Sequence, residues 1–377
     1  MRQLAVGILG AALLTGCGSN QPDTDATPPT APPSVVAPDE PSSPAPAPAE
    51  VSSDEVPNEA GASTTTERQQ TERQQTESRD VTVGEHALPG AIVLPEGDAN
   101  TAVVLLAGSG PQDLDGTIGA SRNPFLKDIA EGLAERGIAS IRFTKVTKHA
   151  PEAVEMKSLT LDDEYFNDAA AAIKLLQEQP ELKEAKLFVV GHSQGAMVMP
   201  EVLNRNTELA GGVSLAGTPR SLFDVIHDQN MKALEAQEDL PEEKRTQQLE
   251  LAKETTELAK KIDDPSDEVP LLLAKSMSSS YIASLNNLDA ASTAAQLGVP
   301  MLFLQGEADR QVFYDVDYRE WQELLADKEN ATFESYSNLS HLFGKSVGIA
   351  AMDDINSVER MNPQVIDDMA EWLLQHS

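Results

Sequence analysis

The spacing Gly191-x-Ser193-x-Gly195 is the clearest chemical signal in this sequence. The apolar run LFVV precedes the motif and the stretch AMVMPEVL follows it, which indicates a turn between a strand and a helix. A serine on such a tight turn needs small residues two positions away on each side, and its oxygen is raised above the sheet. The N-terminus of the following helix favours negative charge that develops there. The motif therefore predicts Ser193 as a nucleophile, the alternative being a glycine-rich turn with an idle serine.

A serine nucleophile needs a general base, and histidine is a common one. Three histidines follow Ser193 along the chain. His376 is the penultimate residue, and His227 lies in a helical stretch that interrupts the strand pattern. His341 comes just after the last predicted strand, in a loop that can reach the serine turn. We predict His341 as the base, the alternative being an exposed loop histidine.

The base in turn needs an acid that orients it, and the acid is expected between the serine and the histidine in the chain. The loop after the apolar run MLFLQ begins at Gly306, which turns the chain. Asp309 follows in that loop, facing the loop of the predicted base, and we predict it as the acid. Glu307 is the nearest alternative, and Asp224, one strand earlier, is a more remote one.

Two backbone N–H groups are needed to stabilise the oxyanion that forms when a serine attacks an acyl carbon. Gln194, the residue after the nucleophile, is predicted to supply one of them. The second is expected from the loop after the run TAVVLLA, where small residues let the backbone approach a substrate. Ser109 and Gly110 are the two candidates in that loop, which taken alone would also suit an ordinary turn.

Other kinds of chemistry find no support in the sequence. It contains no H-E-x-x-H motif, no phosphate-binding G-x-x-x-x-G-K-[ST] motif and one cysteine, and Gly108-x-Gly110 lacks the later glycine of a dinucleotide site. We therefore expect no metal and no cofactor. The net charge of −33 repels phosphate backbones, which argues against nucleic-acid binding.

The N-terminus has the features of an export signal. Arg2 precedes the apolar run Leu4–Leu14, which has the length of a signal-peptide core and is too short to span a bilayer. The following LTGC sequence, which ends at Cys17, resembles the lipobox of bacterial lipoproteins. The resemblance implies that residues 1–16 are a signal peptide and that a lipid is attached to Cys17, on the extracytoplasmic side of the cell membrane or outer membrane. An ordinary secreted protein and an uncleaved apolar tail are the alternatives.

Residues 17–80 are rich in Pro, Ser, Thr, Ala and Glu and poor in large apolar residues. Such a segment cannot bury enough surface to offset its ordering entropy. We predict a disordered, lipid-anchored tether there.

From residue 81 to 377 the pattern predicts an α/β domain, because strand-like apolar runs alternate with amphipathic helical stretches. The predicted sheet is mainly parallel and is flanked by helices. The predicted strands are Val81–Val83, Ala91–Leu94, Thr101–Ala107, Ile138–Phe143, Lys186–Val190, Gly211–Ala216, Met301–Gln305 and Ala331–Tyr336. The main predicted helices are 123–136, 161–178, the stretch after Gly195, Asp315–Ala326 and Gln364–Gln375.

Residues 220–295 interrupt this alternation, because they contain no convincing strand. They hold a charged helical run, Gln229–Ile262, and a second helical stretch from Pro270. We predict a helical cap over the carboxyl ends of the strands, where ligands bind in open α/β sheets; a surface excursion is the alternative. The apolar residues that could face the site are Leu222, Phe223, Ile226, Leu271 and Leu272.

Several segments together resemble a bacterial α/β-hydrolase family that is grouped with serine aminopeptidase-like and dienelactone-hydrolase-like enzymes. The resemblance runs from about residue 85 to the C-terminus and implies the α/β-hydrolase fold and a Ser-Asp-His hydrolase that acts on acyl bonds. It does not imply one substrate. The segments that carry it are Gly108–Asp113, Asn123–Phe125, Gly137–Arg142, Gly191–Gly195, Leu304–Asp309 and Leu339–Phe343.

Two positions depart from the family pattern. The family usually has Asp or Tyr-Asp and then Lys-Arg after the position of Arg142, whereas this chain reads Phe143-Thr144-Lys145-Val146. The family often has Asn before the histidine, where this chain has Ser340. Both changes lie outside the predicted triad and bear on the substrate more than on the reaction.

The residues and the resemblance together predict a serine hydrolase that cleaves a small-molecule ester or acyl substrate. Two alternatives stay open at this point. One is a serine peptidase or aminopeptidase, which would need acidic residues near the site to hold the substrate ammonium. The other is a non-catalytic envelope binding protein on a retained hydrolase scaffold.

Overall fold

The computed structural model of the protein describes residues 76–117, 123–151, 157–274, 276–348 and 351–377. The predicted signal peptide, Cys17 and most of the predicted tether lie outside the described residues. Within the described part of the chain, no helix has the length and apolar character needed to cross a bilayer.

Eight strands form one sheet, and its topology matches the predicted class. They are β1 (Glu77–Val83), β2 (Leu88–Leu94), β3 (Thr101–Leu106), β4 (Ala139–Phe143), β5 (Lys186–His192), β6 (Leu209–Leu215), β7 (Met301–Gly306) and β8 (Ala331–Tyr336). Their order across the sheet is β1-β2-β4-β3-β5-β6-β7-β8. β2 pairs antiparallel with β1 and with β4, and all other neighbours are parallel. The sheet is therefore mainly parallel, as the alternating pattern predicts.

The central strands are buried on both faces. Every residue of β3, β4 and β7 is buried, and β5 is buried from its second residue onward. Near-continuous apolar runs are what a parallel sheet covered on both sides requires. The edge strand β8 instead alternates exposed and half-buried residues.

Helices cover both faces of the sheet. They are α1 (Phe125–Ala134), α2 (Val146–His149), α3 (Asn167–Gln177), α4 (Gln194–Arg205), α5 (Leu222–Glu235), α6 (Glu242–Ala259), α7 (Ser279–Asn286), α8 (Ala290–Gln296), α9 (Arg319–Leu324), α10 (Ala351–Ser357) and α11 (Pro363–Gln375). On one face, α1 and α11 share an apolar cluster that includes Leu133 and Met369. On the other face, α3 and α4 contribute Ile173 and Val198 to a second cluster.

Two predicted helices begin differently from expectation. The predicted helix 161–178 starts with a π-helical turn, Asp162–Phe166, before α3. The predicted helix Asp315–Ala326 likewise starts with a π-helical turn, Tyr314–Tyr318, and α9 ends at Leu324. A single helical period cannot reveal such local widening, because it adds one residue to a turn.

The described residues between β6 and β7 form helices α5 to α8 and no strand. The prediction of one continuous helical run from Gln229 to Ile262 is wrong, because α5 ends at Glu235 and α6 begins after Pro241. Proline has no backbone N–H and clashes with the preceding turn, so it interrupts one helix and can start the next.

The apolar residues proposed to face the site from this region divide into two groups. Leu222, Phe223 and Ile226 are buried in the core. Leu271 is 84% exposed and Leu272 is 41% exposed, so Leu271 lies in solvent and Leu272 is only partly covered.

Candidate active site

Ser193 lies on the turn between β5 and α4, where its backbone has φ +54° and ψ −116°. This conformation is strained for a residue that carries a Cβ atom. The two flanking glycines are required by packing. A Cβ on Gly191 would collide with the carbonyl oxygen of Gly195, and a Cβ on Gly195 would lie 2.5 Å from the carbonyl oxygen of Leu106.

Two backbone hydrogen bonds hold the strained turn in place. The Ser193 N–H donates to the carbonyl oxygen of Leu215 at 2.9 Å. The Ser193 carbonyl accepts from the N–H of Met197, also at 2.9 Å, which begins α4. These bonds help to offset a strain of about 1–3 kcal/mol and leave the side chain at the helix N-terminus.

Asp309 and His341 are in direct contact. Nδ1 of His341 lies 2.8 Å from Oδ2 of Asp309, and both side chains are buried. The same oxygen accepts from the side-chain amide of Gln305 at 3.0 Å. The other carboxylate oxygen accepts from the backbone N–H groups of Gln311 and Val312 at 2.7 and 3.1 Å. These four bonds hold the carboxylate in one orientation toward the imidazole.

The loops that carry this pair are packed together. A Cβ on Gly306 would approach the carbonyl oxygen of Ser340 to 2.7 Å and would come closer still to that of Leu339. The backbone N–H of Ala308 donates to the Leu339 carbonyl at 3.0 Å. Glycine at the end of β7 therefore lets the loop of the predicted acid lie against the loop of the predicted base.

The alternative acids and bases have other contacts. Glu307 accepts hydrogen bonds from two serines, Ser335 and Ser337, at the surface. Asp224 forms an ion pair with Lys260, the residue that follows α6. Nδ1 of His376 bonds to the backbone of its own helix.

His192 was not singled out by sequence, and it links the serine turn to the loop of His341. Nε2 of His192 lies 3.0 Å from the carbonyl oxygen of His341, and the two ring centroids are 4.7 Å apart. Burial and the neighbouring His341 lower the pKa of His192 well below its usual value, so the ring is neutral and Nε2 donates. The residue immediately before Ser193 thereby holds the backbone of the predicted base.

The loop after β3 lies directly against the nucleophile. A Cβ on Gly108 would be 3.1 Å from the Cβ of Ser193. Ser109 is buried, and Gly110 has φ +78°, a conformation that glycine adopts without strain. The side-chain amide of Gln112 donates to the Ser109 carbonyl at 3.1 Å and closes the turn. The loop that carries both candidates for the second oxyanion donor therefore contacts Ser193 through Gly108.

A set of buried polar side chains lies on the far side of this loop, and sequence reasoning missed it. We refer to it as the polar cluster; its members are Lys145, Glu164, Tyr165, Gln194 and Tyr281. They come from the loop after β4, the π-helical turn before α3, the start of α4 and α7. A lysine after a strand and tyrosines in helices read as ordinary surface or core residues, so the sequence carries no signal for their convergence.

A small cavity of about 60 Å³ lies between the polar cluster and the turn at Gly110 and Pro111. Its walls are formed by apolar and polar residues of the loop after β3, of the neighbouring helical segments and of the region before α7. The other lining residues are Thr147, Leu159, Glu164, Gln194, Ser276, Met277, Ser278 and Tyr281. Among the described residues, no group of three or more His, Cys, Asp or Glu side chains is arranged to hold a metal ion.

Comparisons with known proteins identify the family of this chain. A family profile described as serine aminopeptidase, S33, matches residues 127–344. Esterase EstD of Thermotoga maritima is 34% identical over 304 residues, which cover 79% of this chain and 67% of that protein.

Solved structures resemble the fold at low sequence identity. The acylaminoacyl peptidase of Pyrococcus horikoshii is 14% identical with a TM-score of 0.51, over 82% of this chain and 43% of that chain. An esterase of Pyrococcus furiosus is 16% identical with a TM-score of 0.47, over 80% of this chain and 91% of that chain. The predicted α/β-hydrolase fold is confirmed, and the span of the profile together with the identity to EstD shows that this chain belongs to the serine aminopeptidase S33 family of hydrolases.

Proposed function

We propose that this protein hydrolyses carboxylic esters, with Ser193 as nucleophile, His341 as general base and Asp309 as the acid that orients the base. One observation carries the proposal: the strained Ser193 turn is held against the loop of a histidine that is itself bonded to a buried carboxylate. The relationship to Esterase EstD supports an ester as the bond that is cleaved.

The reaction follows from the roles of these groups. The Ser193 hydroxyl attacks the ester carbonyl carbon while Nε2 of His341 accepts its proton, and Asp309 stabilises the imidazolium that forms. The N–H of Gln194, with a second N–H from the loop after β3, stabilises the oxyanion. His341 then protonates the leaving alkoxide. A water molecule then attacks the acyl carbon while His341 accepts its proton, and His341 returns that proton to the Ser193 oxygen as the bond to the acyl group breaks and the acid leaves.

The pairing of the acidic residue that lines the cavity favours ester cleavage over aminopeptidase activity. An aminopeptidase needs an unpaired carboxylate to bind the ammonium group of its substrate. Glu164 is the one acidic residue that lines the cavity in the described part of the chain. It is paired with Lys145 at 3.1 Å and accepts further bonds from Thr147 and Tyr281, so its charge is already balanced.

A fluorophosphonate probe tests the proposal together with a panel of substrates. We expect the probe to label the wild-type protein and to leave the Ser193→Ala variant unlabelled. We expect turnover of aryl and alkyl esters and much slower cleavage of aminoacyl amides. Labelling of Ser193→Ala, or faster cleavage of the amides than of the esters, would contradict the proposal.

We also propose that the protein is a lipoprotein anchored through Cys17 on the extracytoplasmic side of a membrane. The support is the apolar run Leu4–Leu14 followed by LTGC in the sequence. More than one acyl chain is needed for stable anchoring, because each buried CH₂ group contributes only about 0.8 kcal/mol. Metabolic labelling with an alkyne fatty acid, in wild type and in Cys17→Ser, tests whether lipid is attached at this residue.

A further inference from the structure

The polar cluster buries a charged pair, Lys145 and Glu164, in which every donor of the lysine is used. The ammonium group of Lys145 has three protons and three acceptors: the carbonyl oxygen of Gly108 at 2.9 Å, the hydroxyl oxygen of Tyr165 at 2.8 Å and a carboxylate oxygen of Glu164 at 3.1 Å. Burial lowers the pKa of Lys145, and the carboxylate of Glu164 opposes that shift. A buried ion pair with every donor used has one preferred geometry, so the atoms it contacts are held in place.

The carbonyl group of Gly108 connects the polar cluster to the active site. It accepts from Lys145 and from the hydroxyl of Tyr165, each at 2.9 Å, so both of its lone pairs are used. Burial raises the pKa of Tyr165 well above its usual value, so the hydroxyl keeps the proton that it donates. The same residue, Gly108, lies against the Cβ of Ser193.

Because a peptide group is planar, a carbonyl that is held in place also fixes the direction of the N–H in the same peptide group. In a planar trans peptide, the C=O of one residue and the N–H of the next point in opposite directions. The bonds from Lys145 and Tyr165 hold the Gly108 oxygen toward the polar cluster. They therefore direct the N–H of Ser109 away from the cluster. Ser109 directly follows Gly108, the glycine that lies against Ser193, whereas Gly110 is one residue farther along the turn.

We propose that Lys145 and Tyr165 are positioning residues of the oxyanion hole, which hold the Gly108 carbonyl so that the N–H of Ser109 acts as the second donor. This inference deepens the proposed ester hydrolysis and rests on it.

The same cluster also restrains the first oxyanion donor. The side-chain amide of Gln194 donates to the hydroxyl of Tyr281 at 2.9 Å, and Tyr281 in turn donates to Glu164. The amide oxygen of Gln194 lies 3.4 Å from the Tyr165 hydroxyl. Both peptides that donate to the oxyanion are thus tied to one set of buried groups, and one of its members belongs to α7, in the region between β6 and β7.

Substitution of Tyr165 by Phe isolates the proposed role, because it removes one donor to Gly108 and keeps the ring. Loss of a whole oxyanion donor lowers kcat about 100- to 1000-fold, so we expect loss of one of two restraints to lower kcat about tenfold. The KM for phenyl acetate should change less than about twofold, since the oxyanion forms only in the transition state. The inhibition constant of a trifluoromethyl ketone, which forms an oxyanion on the serine, should rise by the same factor as kcat falls.

A second variant tests the lysine without leaving a buried charge. Lys145→Met alone would strand Glu164, so the Lys145→Met/Glu164→Gln variant removes the charged pair together. We expect a larger fall in kcat than for Tyr165→Phe, with a matching loss of affinity for the ketone. Tyr336→Phe is the matched control, because it also removes one hydroxyl hydrogen bond, at 2.9 Å to Asp368, at a distance from the polar cluster.

The outcomes separate this inference from the proposed function. If wild type hydrolyses phenyl acetate and folded Tyr165→Phe keeps its kcat and its ketone affinity, the positioning role is wrong and ester hydrolysis stands. If the variants lose thermal stability while kcat per folded molecule is unchanged, the cluster is purely structural and the inference is overturned. If wild type neither reacts with the fluorophosphonate nor hydrolyses any ester, the proposed function fails and this inference fails with it.

Discussion

His341 and Asp309 form a buried hydrogen bond of 2.8 Å between Nδ1 and Oδ2, although they lie in the loops of different strands. A carboxylate can only accept hydrogen bonds, so Nδ1 carries the proton and Nε2 of His341 is free to accept one. The orientation of the carboxylate is set independently by Gln305 and two backbone N–H groups. The folded loop therefore favours the tautomer of His341 that is protonated at Nδ1, which is the one a general base requires.

Asp309→Asn should lower kcat for ester hydrolysis by about 10⁴-fold, because an amide can donate to Nδ1 and stabilise the wrong tautomer of His341. Glu307→Gln is the control in the same loop, since the side chain of Glu307 accepts hydrogen bonds from two surface serines, Ser335 and Ser337. Steady-state kinetics with phenyl acetate measures both variants. Near-normal turnover in Asp309→Asn, or an equal loss in Glu307→Gln, would show that the acid has been assigned incorrectly.

The strain at Ser193 predicts a difference in stability between two inactive variants. Ala keeps the Cβ atom at φ +54°, whereas Gly adopts this conformation without strain. We expect Ser193→Gly to be more stable than Ser193→Ala by about 1 kcal/mol, which is strain relief reduced by the greater chain entropy of glycine. Urea denaturation of both proteins gives the free energy of unfolding. Equal stabilities would mean that the turn is not strained.

Gly108→Ala should lower kcat by about tenfold or more, because the added Cβ would lie 3.1 Å from the Cβ of Ser193 and 3.4 Å from Nδ1 of His192. Shifts below one ångström at reacting groups have large effects on rate. Gly298→Ala is the matched control, since its Cβ would meet nothing within 4 Å. A Gly108→Ala variant with unchanged kcat would indicate that the loop after β3 does not take part in the reaction.

The predicted lipid anchor is tested by the location of the protein in cells. Cys17→Ser removes the only sulfur in the chain that can carry the lipid. We expect the variant to move from the membrane fraction to the soluble exported fraction, or to remain as an unprocessed precursor. Immunoblots of fractionated cells that show unchanged processing and unchanged membrane attachment would contradict the anchor.

Ser193 and Asp309 could be predicted from the sequence because each follows an apolar run that forms a buried strand, and His341 because it follows the last predicted strand. In a parallel sheet, the loops after the strands meet at one edge, so three residues far apart in the chain are expected together there. The glycine spacing around Ser193 adds a local constraint, since only small residues fit that turn.

The polar cluster could not be predicted in this way. Lys145 follows β4 at a position where a lysine is normally solvated, yet its side chain is only 2% exposed. Its burial depends on Glu164 and Tyr281, which come from different helical segments. The apolar periodicity of a sequence does not indicate which polar residues of separate helices will pair. The break between α5 and α6 at Pro241 was missed for a simpler reason: the charged run on both sides of it has continuous helical character.

The last prediction concerns Met277, which lines the cavity beside Gly110 and Gln194 and is itself buried. Replacing Met277 by Ala removes a flexible apolar wall and should enlarge the space open to the substrate. Each additional CH₂ group that can then be buried contributes about 0.8 kcal/mol, or about fourfold in kcat/KM. Butyrate has two more CH₂ groups than acetate, so we expect the ratio of kcat/KM for a butyrate ester to that for an acetate ester to rise by up to about 15-fold in Met277→Ala.

Leu271→Ala is the control for that change, because Leu271 belongs to the same region of the chain but is 84% exposed and cannot line the cavity. Its ratio of butyrate to acetate hydrolysis should equal that of wild type. Thermal denaturation must show that Met277→Ala is folded at the assay temperature, since truncating a buried methionine costs about 2–5 kcal/mol of stability. If folded Met277→Ala keeps the wild-type ratio, the cavity does not hold the acyl chain, and chain-length preference must come from other walls of the site.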